Sequence, residues 1–222
     1  MKHISVAIDG PVGAGKSTVA RESAKRLGYI YCDTGALYRA VGLYCKENGA
    51  DLESESEITA ALDGIKVEIR LVDGTQHVYL NGRDVSEEIR RPEISMAASA
   101  VSAVAGVRAA LLGIQREIAE KNDVIMDGRD IGTVVLPNAD VKIFLTASAE
   151  ERARRRFDEL KKKESATTFE EVLADLNKRD YNDSHRANAP LKQASDAVLA
   201  DTTGLSFEES VEFVCRTVKE RL

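Results

Sequence analysis

The stretch Gly10-Pro11-Val12-Gly13-Ala14-Gly15-Lys16-Ser17-Thr18 decides the fold. It has the spacing GxxxxGK[ST], follows the apolar run His3 to Ile8 and precedes a helical stretch from Lys16 to Leu27. A strand, a glycine-rich loop and a helix in that order form a cradle for phosphate. Backbone N–H groups curl inward, and the helix adds its positive end. In this reading Gly10 to Thr18 bind a nucleoside triphosphate, Lys16 bridges the β- and γ-phosphates, and the Ser17 hydroxyl is a ligand for Mg2+. Asp33 and Asp127 are further candidates for that ion, through waters.

Outward from this loop, short apolar runs alternate with longer helical patterns. His3 to Ile8, Gly28 to Cys32, Asp123 to Met126, Val141 to Leu145 and Ala197 to Ala200 are predicted strands. Predicted helices cover Lys16 to Leu27, Leu37 to Asn48, Pro92 to Lys121, Glu150 to Lys163, Glu170 to Tyr181 and Phe207 to Leu222. Ser148/Glu151, Thr168/Glu171 and Ser206/Glu209 have capping-box spacing. Strands fed by crossover helices imply an α/β fold with a five-stranded parallel sheet covered by helices on both faces.

One region departs from that rhythm. Ile65 to Leu71 alternates apolar and charged residues, Asp73-Gly74 is a turn signal, His77 to Leu80 is a return strand, and Asn81-Gly82 precedes Arg83 to Val85. Residues 65–85 therefore read as an antiparallel meander inserted into the α/β core. The expected division is a phosphate-loop core of 1–36 and 107–222, with a lid at about 150–166, and a substrate region of 37–106 holding the meander.

Composition bounds the partners. The 222 residues carry 31 basic against 37 acidic side chains, a net charge of −6, which argues against a surface that coats nucleic acid or an anionic membrane. Cys32, Cys45 and Cys215 are too few and scattered for a disulfide framework. The longest uncharged stretch, Ile94 to Val107, falls short of the roughly 18 apolar residues of a spanning helix. A cytoplasmic protein is expected, a monomer, with neither nucleic acid nor membrane among its partners.

A phosphate loop alone does not name a reaction. Asn177-Lys178-Arg179-Asp180 has the spelling of a base-reading NKxD element, but it lies in a predicted charged helix rather than after a buried strand, and is read as coincidental. The arginines are more telling, because a planar guanidinium fork meets phosphate oxygens at two points. Arg39 follows Asp33-Thr34-Gly35 after the second strand, and Arg129 sits in Asp127-Gly128-Arg129-Asp130 after the third. Both lie at carboxyl ends of strands, where open α/β sheets bind ligands. Arg152, Arg155 and Arg156 read as a lid closing cations over a transferring phosphoryl group and excluding water. Asp183 and Arg186 could grip a sugar hydroxyl and a phosphate. This is a phosphotransferase pattern with two phosphate subsites. A kinase of another small acceptor, such as UMP or a sugar acid, and a slow nucleotide-dependent switch are the rivals.

The motifs GPVGAGKST, DTGALYR (Asp33 to Arg39), VRAALL (Val107 to Leu112), DGRDIGTVVLPNADVKIFLTAS (Asp127 to Ser148) and the stretch from Arg179 to Leu191 ending NAPL together resemble the bacterial-type cytidylate kinases. The resemblance extends from the first strand to the last and includes the antiparallel insert. It implies phosphorylation of CMP or dCMP by ATP with Mg2+. It also implies that Arg39 and Arg129, with Arg186 nearby, contact the acceptor phosphate. Ser99 and Arg108 would read cytosine, Asp183 and Arg179 would bind the sugar, and Asp130 would be a further acceptor-site residue. Thr34 stands where some members have Ser, keeping a hydroxyl. Arg152, Arg155 and Arg156 match the lid.

Overall fold

Strands and helices alternate along the chain in the computed structural model, which describes residues 2–72, 74–162 and 166–222. The expected turn residue Asp73 and the helix and lid residues from Lys163 to Ser165 lie outside the described residues. The order is β1 (Ser5–Asp9), α1 (Lys16–Leu27), β2 (Ile30–Asp33), α2 (Thr34–Glu47), α3 (Glu55–Ala61), β3 (Val67–Val72), β4 (Thr75–Leu80), β5 (Arg83–Asp84), α4 (Pro92–Ala103), α5 (Ala105–Lys121), β6 (Val124–Gly128), β7 (Val141–Thr146), α6 (Ala149–Lys161), α7 (Phe169–His185), β8 (Val198–Asp201) and α8 (Phe207–Arg221). The expected five-stranded parallel sheet is present, in the order β2-β6-β1-β7-β8. Val6 pairs with Val141 in parallel, and Ile143 with Val198.

Several boundaries differ from the sequence expectation for local reasons. Gly28 is not strand but the left-handed cap of α1, at φ 74°, and β2 starts only at Ile30. Helix α2 begins at Thr34 rather than Leu37, because the Asp33 carboxylate accepts the Ala36 N–H and caps it. Helix α7 runs on past Tyr181 to His185. Helix α3 was not expected, although Ser54 caps it by accepting from Glu57 N–H with the same Ser-x-x-Glu spacing as its neighbours.

The expected helix Pro92–Lys121 is two helices, bent by 99°. Val104 is extended at the break (φ −79°, ψ 123°). Ser102 turns its hydroxyl back to the Ser99 carbonyl at 2.9 Å, and Arg108 donates to the Ser102 carbonyl at 3.2 Å. The last turn of α4 thus has side-chain partners in place of a continuing helix. No single helix among the described residues is long and apolar enough to cross a membrane.

The chain forms two compact units. In the one built on Ile30–Val124, the antiparallel sheet β3-β4-β5 shares a core with α2, α4 and α5. Val67, Val78 and Leu80 pack with Leu37, Val41, Ile94, Val101 and Leu111. The small residues of α4 permit close helix packing: a Cβ on Gly42 would stand 2.9 Å from the Ala97 Cβ. In the other unit, Ile4–Tyr29 with Ile125–Leu222, the middle residues of β1, β6 and β7 are fully buried (Ile8, Ile125, Met126, Ile143, Leu145). There α6 and α7 hold a small apolar cluster of Ala153, Val172 and Leu176, with Val12 packed against it.

Candidate active site

The glycine loop leaves the carboxyl end of β1 by a close approach that only glycine permits. Gly10 has φ 151°, and a Cβ there would sit 1.9 Å from the Leu145 carbonyl oxygen. Gly15, left-handed at φ 85°, ends the loop and leads into α1 without a side-chain cap on the first amides. Those amides point where an anion is favoured. Lys16 is buried, and its ammonium donates to the Pro11 carbonyl at 2.6 Å. Burial first, and the neighbouring Arg129 second, push the Lys16 ammonium down to about 7, against the pull of Asp127 and Asp9. A buried ammonium that feels the charge of a partly exposed guanidinium makes a place for phosphate.

Across from the loop stands the segment after β6. The Ser17 hydroxyl donates to Asp127 at 2.9 Å. Arg129 donates through Nε to Asp183 at 2.9 Å and through a terminal nitrogen to the Gly128 carbonyl at 3.3 Å. Asp130 and Arg186 are both almost fully buried and pair at 3.4 Å. Beyond them, residues Ile131–Val135 form a wide helical turn. Its leading amides, of Ile131 and Gly132, both donate to Asp9 at 2.7 Å. Burial pushes the Asp9 carboxyl up to about 6, although those two backbone bonds pull it down. Asp9, the last residue of β1, therefore anchors the turn that follows Arg129 and Asp130.

Of the three arginines expected to form a lid, Arg152 is buried. It donates to the Ala147 carbonyl at 2.9 Å, to the Val12 carbonyl at 2.8 Å and to Asp180 at 2.6 Å. Arg155 reaches Glu151 and the hydroxyl and carbonyl of Thr202. It also lies above the loop, 4.0 Å from where a Gly15 Cβ would be. Arg156 pairs with Glu159 on the surface. Arg179 is half-buried on α7, one turn from Asp183.

Within the other unit, Thr34 is buried in the first turn of α2. Arg39, one turn further, lies 3.7 Å from Asp33. The Gln76 side chain of β4 spans both backbone groups of Asp33, accepting from its N–H at 2.7 Å and donating to its carbonyl at 3.1 Å. This pins the antiparallel sheet to the end of β2. Ser99, Ser102 and Arg108 stand together at the bend between α4 and α5, with the Arg108 guanidinium 5.4 Å from the Tyr38 ring centre.

Sequence reasoning missed Asp9, Gln76 and Asp180. Asp9 did carry a signal, an acid closing an apolar strand directly before the loop. Asp180 belongs to the NKRD tetrapeptide and lies in a helix, with no base-reading loop there. His77 pairs with Asp84 across β4 and β5, and His185 stacks on Tyr181 with ring centres 4.0 Å apart. Both are structural contacts outside the loop.

Comparison with known proteins agrees with this geometry. The family profile described as cytidylate kinase matches residues 6–220. A cytidylate kinase of Caldicellulosiruptor bescii is 53% identical over 214 residues, covering 96% of this chain and 95% of that protein. One of Enterococcus faecalis is 48% identical over 221 residues, covering 100% of this chain and 98% of its own. Among solved structures, an uncharacterized protein from Eubacterium ventriosum superimposes with a TM-score of 0.55 over 98% of this chain and 99% of its own. At 10% identity it shares the fold alone.

Proposed function

The chain belongs to the cytidylate kinase family, and on that premise we propose how its residues carry the ATP-dependent phosphorylation of CMP and dCMP to CDP and dCDP. The donor triphosphate lies along Gly10 to Thr18, with Lys16 against its phosphates. The observation that carries this reading is the loop itself, with the buried Lys16 ammonium on the Pro11 carbonyl and Ser17 on Asp127, two residues before Arg129, whose charge opposes that of Lys16. Such repulsion is relieved when phosphate arrives between them. Arg129 then faces the acceptor phosphate, with Arg186 and Asp130 behind it and Asp183 and Arg179 turned to the sugar.

Residues 37–106 are the acceptor-binding region in this proposal, and 1–36 with 107–222 the donor core, with its lid at about 150–166. Thr34, Arg39, Ser99 and Arg108 meet the acceptor, the last two reading cytosine. The Ser99–Ser102–Arg108 contacts at the helix bend support that role, because they hold polar groups in one place. Arg155 and Arg156 neutralise charge on the transferring group, exchanging their present glutamate partners for phosphate. Arg152, expected to act beside them, is buried against the Ala147 and Val12 carbonyls and Asp180 and is assigned to the loop instead. The acceptor oxygen is already an anion at neutral pH, so positioning and charge neutralisation suffice without a strong base.

The Ser17 hydroxyl and the buried Asp127 carboxylate, 2.9 Å apart, are the hard oxygen donors that suit Mg2+. Among the described residues no group of three acidic, His or Cys side chains could hold a metal alone, and Mg2+ is commonly held by one or two protein oxygens together with substrate phosphates. That ion would supply positive charge against the phosphate oxygens. Ser17 and Asp127 would orient it. The proposal includes a cytoplasmic monomer acting on small nucleotides, and the net charge of −6 supports the exclusion of nucleic acid.

An acceptor panel with ATP and Mg2+ tests the reading. ADP release is expected to be fast with CMP and dCMP and slow with UMP, and Arg108→Met is expected to narrow the CMP-to-UMP ratio of kcat/KM by about 10-fold or more, a bidentate contact being worth about 1–3 kcal/mol. Slow hydrolysis indifferent to every acceptor would sink the reading. Equal losses for CMP and UMP would remove Arg108 from the base.

A further inference from the structure

Val12, in the middle of the phosphate loop, has both backbone polar groups held by side chains from two helices. Its N–H donates to Asp180 of α7 at 3.2 Å, and its carbonyl accepts from Arg152 of α6 at 2.8 Å. The two side chains pair with each other at 2.6 Å. Arg152 is fastened a third time, through Nε to the Ala147 carbonyl at the base of α6. The Val12 side chain packs on the α6–α7 cluster of Ala153, Val172 and Leu176. A Cβ on the next residue, Gly13, would meet Leu176 at 3.2 Å and Arg152 at 3.4 Å.

These contacts have a consequence for binding. A glycine-rich loop pays a large entropy cost when it adopts one conformation, and a loop already ordered before the nucleotide arrives binds it more tightly. The geometry points to Asp180 and Arg152 as a positioning pair that sets the phosphate loop for the donor nucleotide. Neither acts on the reacting atoms. Asp180 acts through Val12, and Arg152 acts through Val12 and Asp180.

The position of Asp180 adds a second link. Asp183 lies three residues further along α7, on the same helix face, and holds Arg129 at 2.9 Å. Arg186, at the end of α7, holds Asp130 at 3.4 Å. One helix therefore braces the donor loop through Asp180 and the acceptor arginine through Asp183. The pair at Val12 is the donor half of that brace.

The test compares Asp180→Ala, Asp180→Asn and Arg152→Lys, with direct titration of ATP and of CMP beside kcat, both KM values and thermal midpoints. Charge-assisted hydrogen bonds are worth about 1.5–3 kcal/mol, so Asp180→Ala is expected to weaken ATP binding by about 10-fold or more. CMP binding should change by less than about 3-fold, because Asp183 and Arg129 are untouched. Asp180→Asn keeps an oxygen for the Val12 N–H and should recover part of the loss. Arg152→Lys cannot span the same three acceptors and should weaken ATP binding too. If Arg152 instead met the transferring phosphoryl group, Arg152→Lys would lower kcat with ATP binding intact, and the proposal would fall. Equal weakening of ATP and CMP, or unchanged ATP binding in folded Asp180→Ala, would also overturn it. Should Asp180→Ala not fold, Asp180→Asn decides: selective ATP weakening of about 3-fold supports the pair, and unchanged ATP binding refutes it. The inference rests on ATP occupying the loop. Lys16→Ala checks that separately, since retained ATP affinity there would remove the donor site itself and the positioning pair with it.

Discussion

Asp9→Asn separates what the buried carboxylate does for stability from what it does for catalysis. The carboxyl accepts from Ile131 and Gly132 at 2.7 Å each and is raised from 3.8 to about 6, chiefly by burial. At 1.36 kcal/mol per pH unit that rise amounts to about 3 kcal/mol disfavouring the charged form in the folded protein. The sign follows from proton counting. Below pH 3.8 both folded and unfolded chains carry the proton. Between 3.8 and about 6 only the folded chain keeps it, so stability falls as pH rises, and above about 6 the whole penalty is present. Asparagine has no such titration. Urea unfolding of wild type and variant from pH 4.5 to 7.5 should therefore show the variant gaining about 2 kcal/mol relative to wild type across that range. Its amide can accept only one of the two N–H groups at full strength, and an orphaned buried donor costs about 1–3 kcal/mol at every pH. Stability at pH 7.5 should then end within about 2 kcal/mol of wild type. Activity should not be spared. The turn that follows Arg129 and Asp130 loses one of its two anchors, and kcat/KM for CMP should fall by about 10-fold or more, since small misplacements are costly. A pH-independent stability difference would refute the raised carboxyl. Wild-type activity in a folded variant would refute the anchoring role.

Two further outcomes rest on the cation pair. With the Lys16 ammonium down at about 7, the free enzyme at pH 8 holds it largely uncharged, and arriving phosphates restore the charge. ATP binding at pH 8 should take up a proton that Lys16→Met does not take up, read by calorimetry in two buffers of different ionisation enthalpy; equal uptake in both proteins would refute it. Arg129→Lys should lower kcat/KM for CMP by about 10–100-fold while ATP affinity changes by less than about 3-fold, because an ammonium cannot reproduce the forked contact that Arg129 makes beside Asp183. A loss confined to ATP would move Arg129 to the donor side.

The strand–loop–helix register around Gly10 to Lys16 was legible because its determinants are local: a short continuous apolar run, glycine where φ is positive, and a helix start. The antiparallel sheet was legible through another local signal, the alternation of Ile65 to Leu71 and the turn pair Asn81-Gly82. The helix break at Val104 was hidden in an Ala- and Ser-rich run whose propensities permit one helix or two. Side-chain bonds of Ser102 and Arg108 to carbonyls decide it.

The candidate arginines divide in the same way. Arg129 could be singled out by its place after β6, since strand order alone brings a carboxyl end beside the loop. Arg152, Arg155 and Arg156 look equivalent as residues of one helix face. Only tertiary contacts distinguish a buried Arg152 fastened to Val12 from an Arg156 paired on the surface.

The sequence by itself thus determined the α/β class, the phosphate loop, the inserted sheet and the family to which they belong. These depend on residues close in the chain, or on a pattern that is read without distances. What tertiary structure alone decided is which charges are buried and what they hold: Asp9 on the turn at Ile131, Asp180 and Arg152 on Val12, Gln76 on Asp33. Those partners lie from 43 to 168 residues apart, with Asp180 the farthest from its partner and Gln76 the nearest. Hydrogen bonds form between groups within about 3.5 Å, and no local propensity specifies which distant backbone amide will meet a given carboxylate once the core has packed.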